Sequence, residues 1–323
     1  MRHALVTGAS GFIGRVLCRR LIDLGVQVCA LQRHAAAGPW HDCVCVDLAA
    51  AAPAPDMLAG VDTVFHLAGD AHAHDRGDGA ARHRAVSVDG TRRLLEACGE
   101  SVERVVFASS VKAMGERTPA QCLDEDAPAR PQSAYGHARR EAEELILASA
   151  ARRHTAVVRL PLVYGPGVRG NLHAMLRAVA SGRMPLLPEF ANRRSLVHVE
   201  DASEALIAAA CTAAARGRVY LISDGQCYSS RQIQCLMYAA AGRRTPLLRV
   251  PRWLLRLVAG CGDELAALGA ARVPFDSERL SRLADDACFD CTRARRELGY
   301  TPRYTLGDAL PAMFAALDQG ASP

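Results

Sequence analysis

The sequence predicts a doubly wound α/β fold, in which a parallel sheet is covered by helices on both faces and followed by a smaller, mostly helical C-terminal region. Three observations predict it. Short apolar runs without polar alternation recur through the first half, as strands buried on both faces require. Longer segments of helical period separate them. A glycine-rich turn joins the first run to the first such segment. The composition of the 323 residues agrees, with 50% hydrophobic, 23% charged and 5% aromatic side chains, a balance that excludes a disordered or fibrous chain.

The strand-length runs are 4–7, 26–31, 44–46, 63–67, 105–108 and 156–160, and helical period fills 13–24, 91–98 and 133–148. Alternation of the two is the pattern of βαβ units. Beyond Pro166 the regularity loosens, with Gly and Pro at Gly165-Pro166-Gly167, Met184-Pro185 and Leu187-Pro188. Helical stretches follow at 172–180, 202–214 and 231–241, with one further strand at 218–223 that can rejoin the first sheet. The predicted division is a sheet domain over 1–168, rejoined by about 195–225, and a substrate-binding region over 169–194 and 226–323.

Charge and cysteine content narrow the function. The 39 Lys and Arg against 34 Asp and Glu leave +5, and the basic residues are scattered, so nucleic acid is excluded and a small anionic ligand is favoured. No run reaches the roughly 18 apolar residues of a membrane span. Met1-Arg2-His3 leads directly into the first strand, which predicts no signal peptide and a cytoplasmic protein. Lys112 is the only lysine, so an Arg can stand here where a related chain carries Lys. Twelve cysteines are too sparse for a disulfide-stapled domain and predict reduced thiols. Cys288 and Cys291 have the spacing of a metal knuckle, but no second pair accompanies them, and Cys43 and Cys45 alternate on a strand, so no metal site is predicted. His66, His72, His74 and His83, with Asp70 and Asp75 among them, look more like ligands and are read as loop histidines near a charged substrate.

The first strand ends in Gly8-Ala9-Ser10-Gly11-Phe12-Ile13-Gly14 and a helix follows. Glycines there let the backbone approach a pyrophosphate, and the helix start aims free N–H groups at it, so a dinucleotide and a Rossmann-like sheet are predicted. The second strand ends at Gln32-Arg33, where a carboxylate would hold the ribose 2′-hydroxyl of NAD. Gln32 carries no charge and Arg33 can neutralise a 2′-phosphate, so NADP is favoured over NAD; the plain alternative is a solvated surface arginine.

These residues, with Asp47-Leu48, Phe65-His66-Leu67-Ala68-Gly69, Ser109-Ser110-Val111-Lys112-Ala113-Met114-Gly115-Glu116, Ser133-Ala134-Tyr135-Gly136 and Arg159-Leu160-Pro161-Leu162-Val163-Tyr164-Gly165-Pro166-Gly167, occur in one order along nearly the whole chain. The sequence resembles the extended short-chain dehydrogenase/reductases, the NAD-dependent epimerase/dehydratase group, and within it bacterial UDP-sugar 4-epimerases and 4-ketoreductases. The resemblance implies that Gly8, Gly11, Phe12, Ile13 and Gly14 cradle the cofactor, with Asp47 and Leu48 flanking adenine. It implies Leu67, Ala68 and Gly69 on the pyrophosphate and ribose side, and Pro161 and Val163 at the nicotinamide.

Tyr135 matches the family's catalytic tyrosine and Ser110 the hydroxyl that bonds the same carbinol oxygen. A free phenol titrates near pH ~10, so proton exchange near neutrality needs a neighbouring cation. Relatives place a lysine one helical turn after the tyrosine, and this chain has Arg139, which supplies charge and donors to the ribose but holds its proton. Ser87 likewise stands where relatives have Asn. Dehydratases of the group carry an Asp-Glu pair after the serine, where this chain has Val111-Lys112, so dehydration is not expected. Lys112, Asn171 in Gly170-Asn171-Leu172 and Arg194, four residues before His198, are the implied substrate contacts beside Ser110, the last two facing a nucleoside diphosphate; the alternative for Arg193 and Arg194 is surface charge. Two other readings stay open. One is a reductase of a lipid, steroid or other hydrophobic ketone, with Leu186, Leu187 and Trp253-Leu254-Leu255 around it; the other is an NADPH sensor weakened by Arg139 and Ser87. Relatives also dimerise through the helices matching 82–98 and 133–150, so a homodimer is expected.

Overall fold

The computed structural model describes residues 1–69, 79–267 and 275–319. Its first half runs β1 (His3–Thr7), α1 (Phe12–Asp23), β2 (Gln27–Gln32), β3 (Asp42–Cys45), β4 (Thr63–His66), α2 (Gly79–Arg84), α3 (Gly90–Ala97), β5 (Arg104–Ser110), α4 (Ala134–Ala148) and β6 (His154–Leu160). The rest comprises β7 (Leu162–Tyr164), α5 (Gly170–Ala180), β8 (Arg194–His198), α6 (Val199–Cys211), β9 (Arg218–Leu221), β10 (Cys227–Tyr228), α7 (Ser230–Ala240), α8 (Arg252–Ala267), α9 (Ser277–Ala284), α10 (Thr292–Leu298) and α11 (Leu306–Gln319).

Seven strands form a wholly parallel, Rossmann-like sheet in the order β3-β2-β1-β4-β5-β6-β9. Successive residues of a strand face opposite sides, and both sides are apolar. Val6, Val28, Val106 and Val158 pack with Leu17 and Leu21 of α1 and Leu206 of α6. Leu5, Val64, Val105 and Val157 pack with Leu94 of α3 and Ala142 and Ile146 of α4. Runs without alternation are therefore what this sheet requires. The order reverses between β1 and β4, which opens a crevice at the carboxyl ends of the strands where ligands of such sheets bind.

The strand at Arg218 pairs parallel to β6 as the edge of the main sheet, whereas Arg194–His198 enters a second, three-stranded sheet with β7 and β10. Pattern does not reveal this sheet, because β7 has three residues and β10 two. The segment from Gly79 to Ala97 is one helical rod interrupted by a π-helical turn over Ala85–Asp89, and the Ser87 Oγ inside that turn is buried without a hydrogen-bond partner. A C-terminal core gathers Leu172 and Leu176 of α5, Ile233 and Met237 of α7, and Leu310 and Met313 of α11.

The expectation of reduced thiols is corrected at one place, where Cys122 and Cys288 form a disulfide. The backbones of the two segments pair, Leu123 N–H donating to Cys288 O at 3.0 Å and Asp290 N–H to Leu123 O at 2.9 Å. That contact brings the two Cα atoms to 4.6 Å, a proximity that cysteine counting does not see. Cys291 takes no part and sits at the N-cap of α10.

Candidate active site

The site begins where β1 turns into α1. Gly8 has φ +68, and a Cβ on it would lie 3.0 Å from the backbone of Leu67 and Ala68; a Cβ on Gly14 would lie 2.3 Å from Gly8 O. Strand, turn and helix thus close up to a distance only glycine permits. Gly11 is the N-cap of α1, with no side-chain cap and no acidic residue in the first turn, so the N–H groups of Phe12 and Ile13 at the start of the helix suit an anion. These residues fit a pyrophosphate.

At the end of β2 the Gln32 amide nitrogen donates to Ala36 O at 3.1 Å and Cys43 Sγ at 2.9 Å, while its Oε1 is buried without a partner. That acceptor is closed off from solvent, and Arg33 beside it is exposed. Asp47 is exposed and accepts from Ala49 N–H at 3.0 Å. Leu48 is buried, and Arg93 of α3 donates to the carbonyls of Leu48 and Ala49 at 2.7 and 2.8 Å. Sequence reasoning missed Arg93, which reads as one of many helix-surface arginines.

A buried polar chain crosses under the crevice. Thr91 Oγ1 donates to Ser87 O, so His66 Nε2 must donate to Thr91 Oγ1 at 2.9 Å, and Nδ1 then accepts from Thr7 Oγ1 at 2.7 Å. Thr7 Oγ1 in turn accepts from Leu67 N–H at 3.1 Å and Ala68 N–H at 3.0 Å. This fixes the Leu67-Ala68-Gly69 backbone to the first strand. Burial, with a smaller push from the Arg139 charge, lowers the His66 pKa to about 3, so the ring is neutral. It is a hydrogen-bond bridge in this chain, engaged at both nitrogens. His72, His74, Asp70 and Asp75 lie outside the described residues.

The third part joins the ends of β5 and β6 to the first turns of α4. Ser110 closes β5 and its Oγ accepts from Lys112 N–H at 3.3 Å. Glu116 accepts from the N–H groups of Gln132 at 2.9 Å and Ser133 at 3.1 Å and from the Ser133 hydroxyl, and Ser133 caps α4 by accepting from Gly136 N–H at 3.0 Å. A Cβ on Gly136 would lie 2.6 Å from Lys112 O, so glycine lets the Lys112 turn press against the helix. The Lys112 ammonium stands 5.7 Å from the centre of the Tyr135 ring, and the buried His83 meets the same ring edge-on at 5.4 Å. Arg139 is 4% exposed; its Nε donates to the Tyr135 hydroxyl at 3.1 Å and its Nη1 to Ala68 O at 3.3 Å. A single guanidinium therefore ties the tyrosine to the loop after β4.

One turn further along α4 sits a group that sequence reasoning missed. Glu143 is fully buried and receives Arg159 of β6 through Nε at 2.9 Å and Nη2 at 2.7 Å, with Ser109 Oγ of β5 donating at 2.6 Å. Its spacing from Tyr135 and Arg139, on the same helical face, was the available signal. The pair locks α4 against β5, which ends in Ser110, and β6, which ends just before Pro161.

Of the other predicted contacts, Pro161 is buried behind β6, and Val163 lies in β7 beside Val197. Asn171 is exposed in the first turn of α5. Arg194 is turned onto the end of α9, donating to Arg282 O and to Asp285 O at 3.4 Å, and desolvation lowers its pKa. The structure thus brings Gly8 to Gly14, Leu67 to Gly69, Ser110, Lys112, Tyr135 and Arg139 to one edge of the sheet, and gives Arg194 carbonyl partners.

Comparison with known proteins agrees with this geometry. The family model described as "NAD dependent epimerase/dehydratase family" matches residues 4–223. The chain is 28% identical over 317 residues to UDP-glucose 4-epimerase of Vibrio cholerae, covering 94% of this chain and 92% of that one. It is 29% identical over 334 residues, 99% of each chain, to 4-hydroxy-2-methyl-3-oxo-4-farnesyl-3,4-dihydroquinoline-1-oxide ketoreductase of Stigmatella aurantiaca. Among solved structures, MoeE5 in complex with UDP-glucuronic acid and NAD superposes with a TM-score of 0.79 at 27% identity, over 98% of this chain and 99% of that one. With the motif residues gathered as described, the chain belongs to the NAD-dependent epimerase/dehydratase family and is an enzyme of the extended short-chain dehydrogenase/reductase type.

Proposed function

We propose that this enzyme acts on a nucleoside-diphosphate sugar, by 4-epimerisation or by reduction of a 4-keto group, with Tyr135 as acid and base. The observation that carries the reading is the Tyr135 hydroxyl held by Arg139 Nε at 3.1 Å beside Lys112, in a chain similar to an enzyme and a solved structure whose names include UDP-sugars. The α1 turn, Leu48 and the Leu67 to Gly69 backbone are the residues that hold the dinucleotide. When bound, the nicotinamide supplies a hydride acceptor and donor. NADP is the favoured form, because Arg33 follows a strand end that lacks a carboxylate.

Tyr135 takes the carbinol proton as the carbon is oxidised and returns it on reduction, while Ser110 donates to the same oxygen. Arg139 keeps its proton throughout, so it orients the phenol and favours its anion without passing a proton on. Lys112, the only lysine of the chain, is the neighbouring cation able to do so. No carboxylate pair follows Ser110, which disfavours elimination of water.

A second reading, reduction of a hydrophobic carbonyl, has its own support. Leu247, Leu248 and Trp253 are 97%, 76% and 66% exposed among Arg249, Arg252 and Arg256, and the Stigmatella relative is a ketoreductase of a farnesylated compound. One experiment separates the readings: thermal unfolding with NADPH or NADH, then with UDP, dTDP or GDP added. A ligand at a hundred times its dissociation constant adds about 2.7 kcal/mol. Stabilisation by NADPH over NADH and then by one nucleotide is expected, and Tyr135→Phe keeps both shifts while hydride transfer falls about 10²- to 10⁴-fold. A cofactor shift without any nucleotide response favours the hydrophobic carbonyl, and no cofactor shift overturns both. A large gain from near zero in Arg139→Lys would instead mark a sensor.

A further inference from the structure

Three sulfurs from distant parts of the chain meet outside the site. Cys122 lies in the connection from the Lys112 turn to α4, Cys227 opens β10, and Cys288 follows α9. Their Sγ atoms all lie within 4.8 Å of one another. Cys288 is bonded to Cys122, and Cys227 Sγ stands 2.7 Å from Cys288 Sγ. Cys288 is buried and Cys227 exposed. Arg193 Nη2 donates to Cys122 Sγ at 3.1 Å and approaches Cys227 Sγ at 3.8 Å.

A structural disulfide needs neither the third sulfur nor the cation. Exchange needs the third sulfur and is favoured by the cation. A thiolate that attacks a disulfide sulfur passes its negative charge to the sulfur that leaves, and Arg193 touches the two outer sulfurs between which that charge would move. We infer that Cys122, Cys227 and Cys288 form a thiol–disulfide exchange site, with small thiols and disulfides of the glutathione class as its ligands.

In the exchange, Cys227 thiolate attacks Cys288 Sγ. The Cys227–Cys288 bond forms, the Cys122–Cys288 bond breaks, and the electron pair leaves on Cys122 with no net oxidation. From three free thiols the oxidant is a small disulfide. Exposed Cys227 attacks it and releases one small thiol, Cys288 thiolate displaces the second, and Cys122 then takes over the bond. The segment carrying Cys288 also holds its neighbours through the backbone, Thr118 N–H donating to Asp286 O at 2.9 Å and Ser195 N–H to Ala287 O at 2.9 Å. Exchange thus decides whether the connection leading to Tyr135 or the strand β10 is covalently tied to that segment.

The test is peptide mapping of the full chain, equilibrated with oxidised and reduced glutathione and trapped by alkylation in acid. Both Cys122–Cys288 and Cys227–Cys288 linkages are expected, within about tenfold of each other, and Arg193→Met slows their interconversion about fivefold or more. Cys122→Ser moves the chain into the Cys227–Cys288 form; should that variant not fold, the wild-type map alone decides. Cys122–Cys288 as the sole linkage at every glutathione ratio, with Cys227 alkylated, overturns the inference. A zinc ion that co-purifies and shields all three thiols from alkylation overturns it too, in favour of a metal site.

Discussion

At the carboxyl edge of the main sheet, Glu143 is fully buried and bound by both arms of Arg159, whereas on α8 Trp253 is 66% exposed and Leu257 56%. The first region keeps its charges inside and paired. The second keeps arginines and apolar side chains together on the surface. The difference separates two kinds of packing: the buried pair fixes the helix that carries Tyr135 and Arg139, and the outer region leaves apolar side chains open to solvent.

The strongest way to break this contrast is to remove Glu143. Glu143→Ala leaves Arg159 buried without its partner, and a loss of about 3–5 kcal/mol is expected in urea unfolding. A loss of about 1 kcal/mol, the size of a surface pair, would erase the distinction. Acid sharpens it next. His66 is neutral in the fold and titrates at about 3, against roughly 6.5 in the unfolded chain. Between those values the unfolded state binds the extra proton, so stability falls as pH falls, by about 1.4 kcal/mol per unit. His66→Asn should flatten that slope in the pH dependence of the unfolding midpoint, and an unchanged slope would assign it to other groups. The smallest effect belongs to the outer region. Leu248→Ser and Trp253→Ser should each change stability by no more than about 0.5 kcal/mol, and a drop of several times that amount would mean that this face is packed.

The main sheet was readable because its strands are unbroken apolar runs, and the glycine turn because its spacing is set by backbone contact. Ser110, Tyr135 and the substituted Arg139 were readable through resemblance. Glu143 was not: Arg140, Glu141 and Glu144 surround it in sequence and make the stretch read as a solvated face, and only Arg159, from the next strand, takes it inside. Arg194 was visible as a basic residue, but its partners, the carbonyls at the end of α9, lie about 90 residues away in sequence. The disulfide spans 166 residues, beyond any local pattern. What remained hidden is in each case a pairing between separate elements of the fold.

A side chain at position 69 depends on what stands at 139. A Cβ at position 69 would lie 1.7 Å from Arg139 Nη2 and 2.6 Å from its Cζ, and that guanidinium is buried and held by Tyr135 and Ala68, so it cannot swing aside without releasing the tyrosine. An exchange that adds a side chain at 69 therefore needs either a shorter residue at 139 or a guanidinium moved off the tyrosine. A mutational route through these two positions therefore has a permitted order, 139 first and 69 second, and the reverse order passes through a clash. The arginine thus holds position 69 to glycine for as long as its guanidinium keeps its bond to Tyr135.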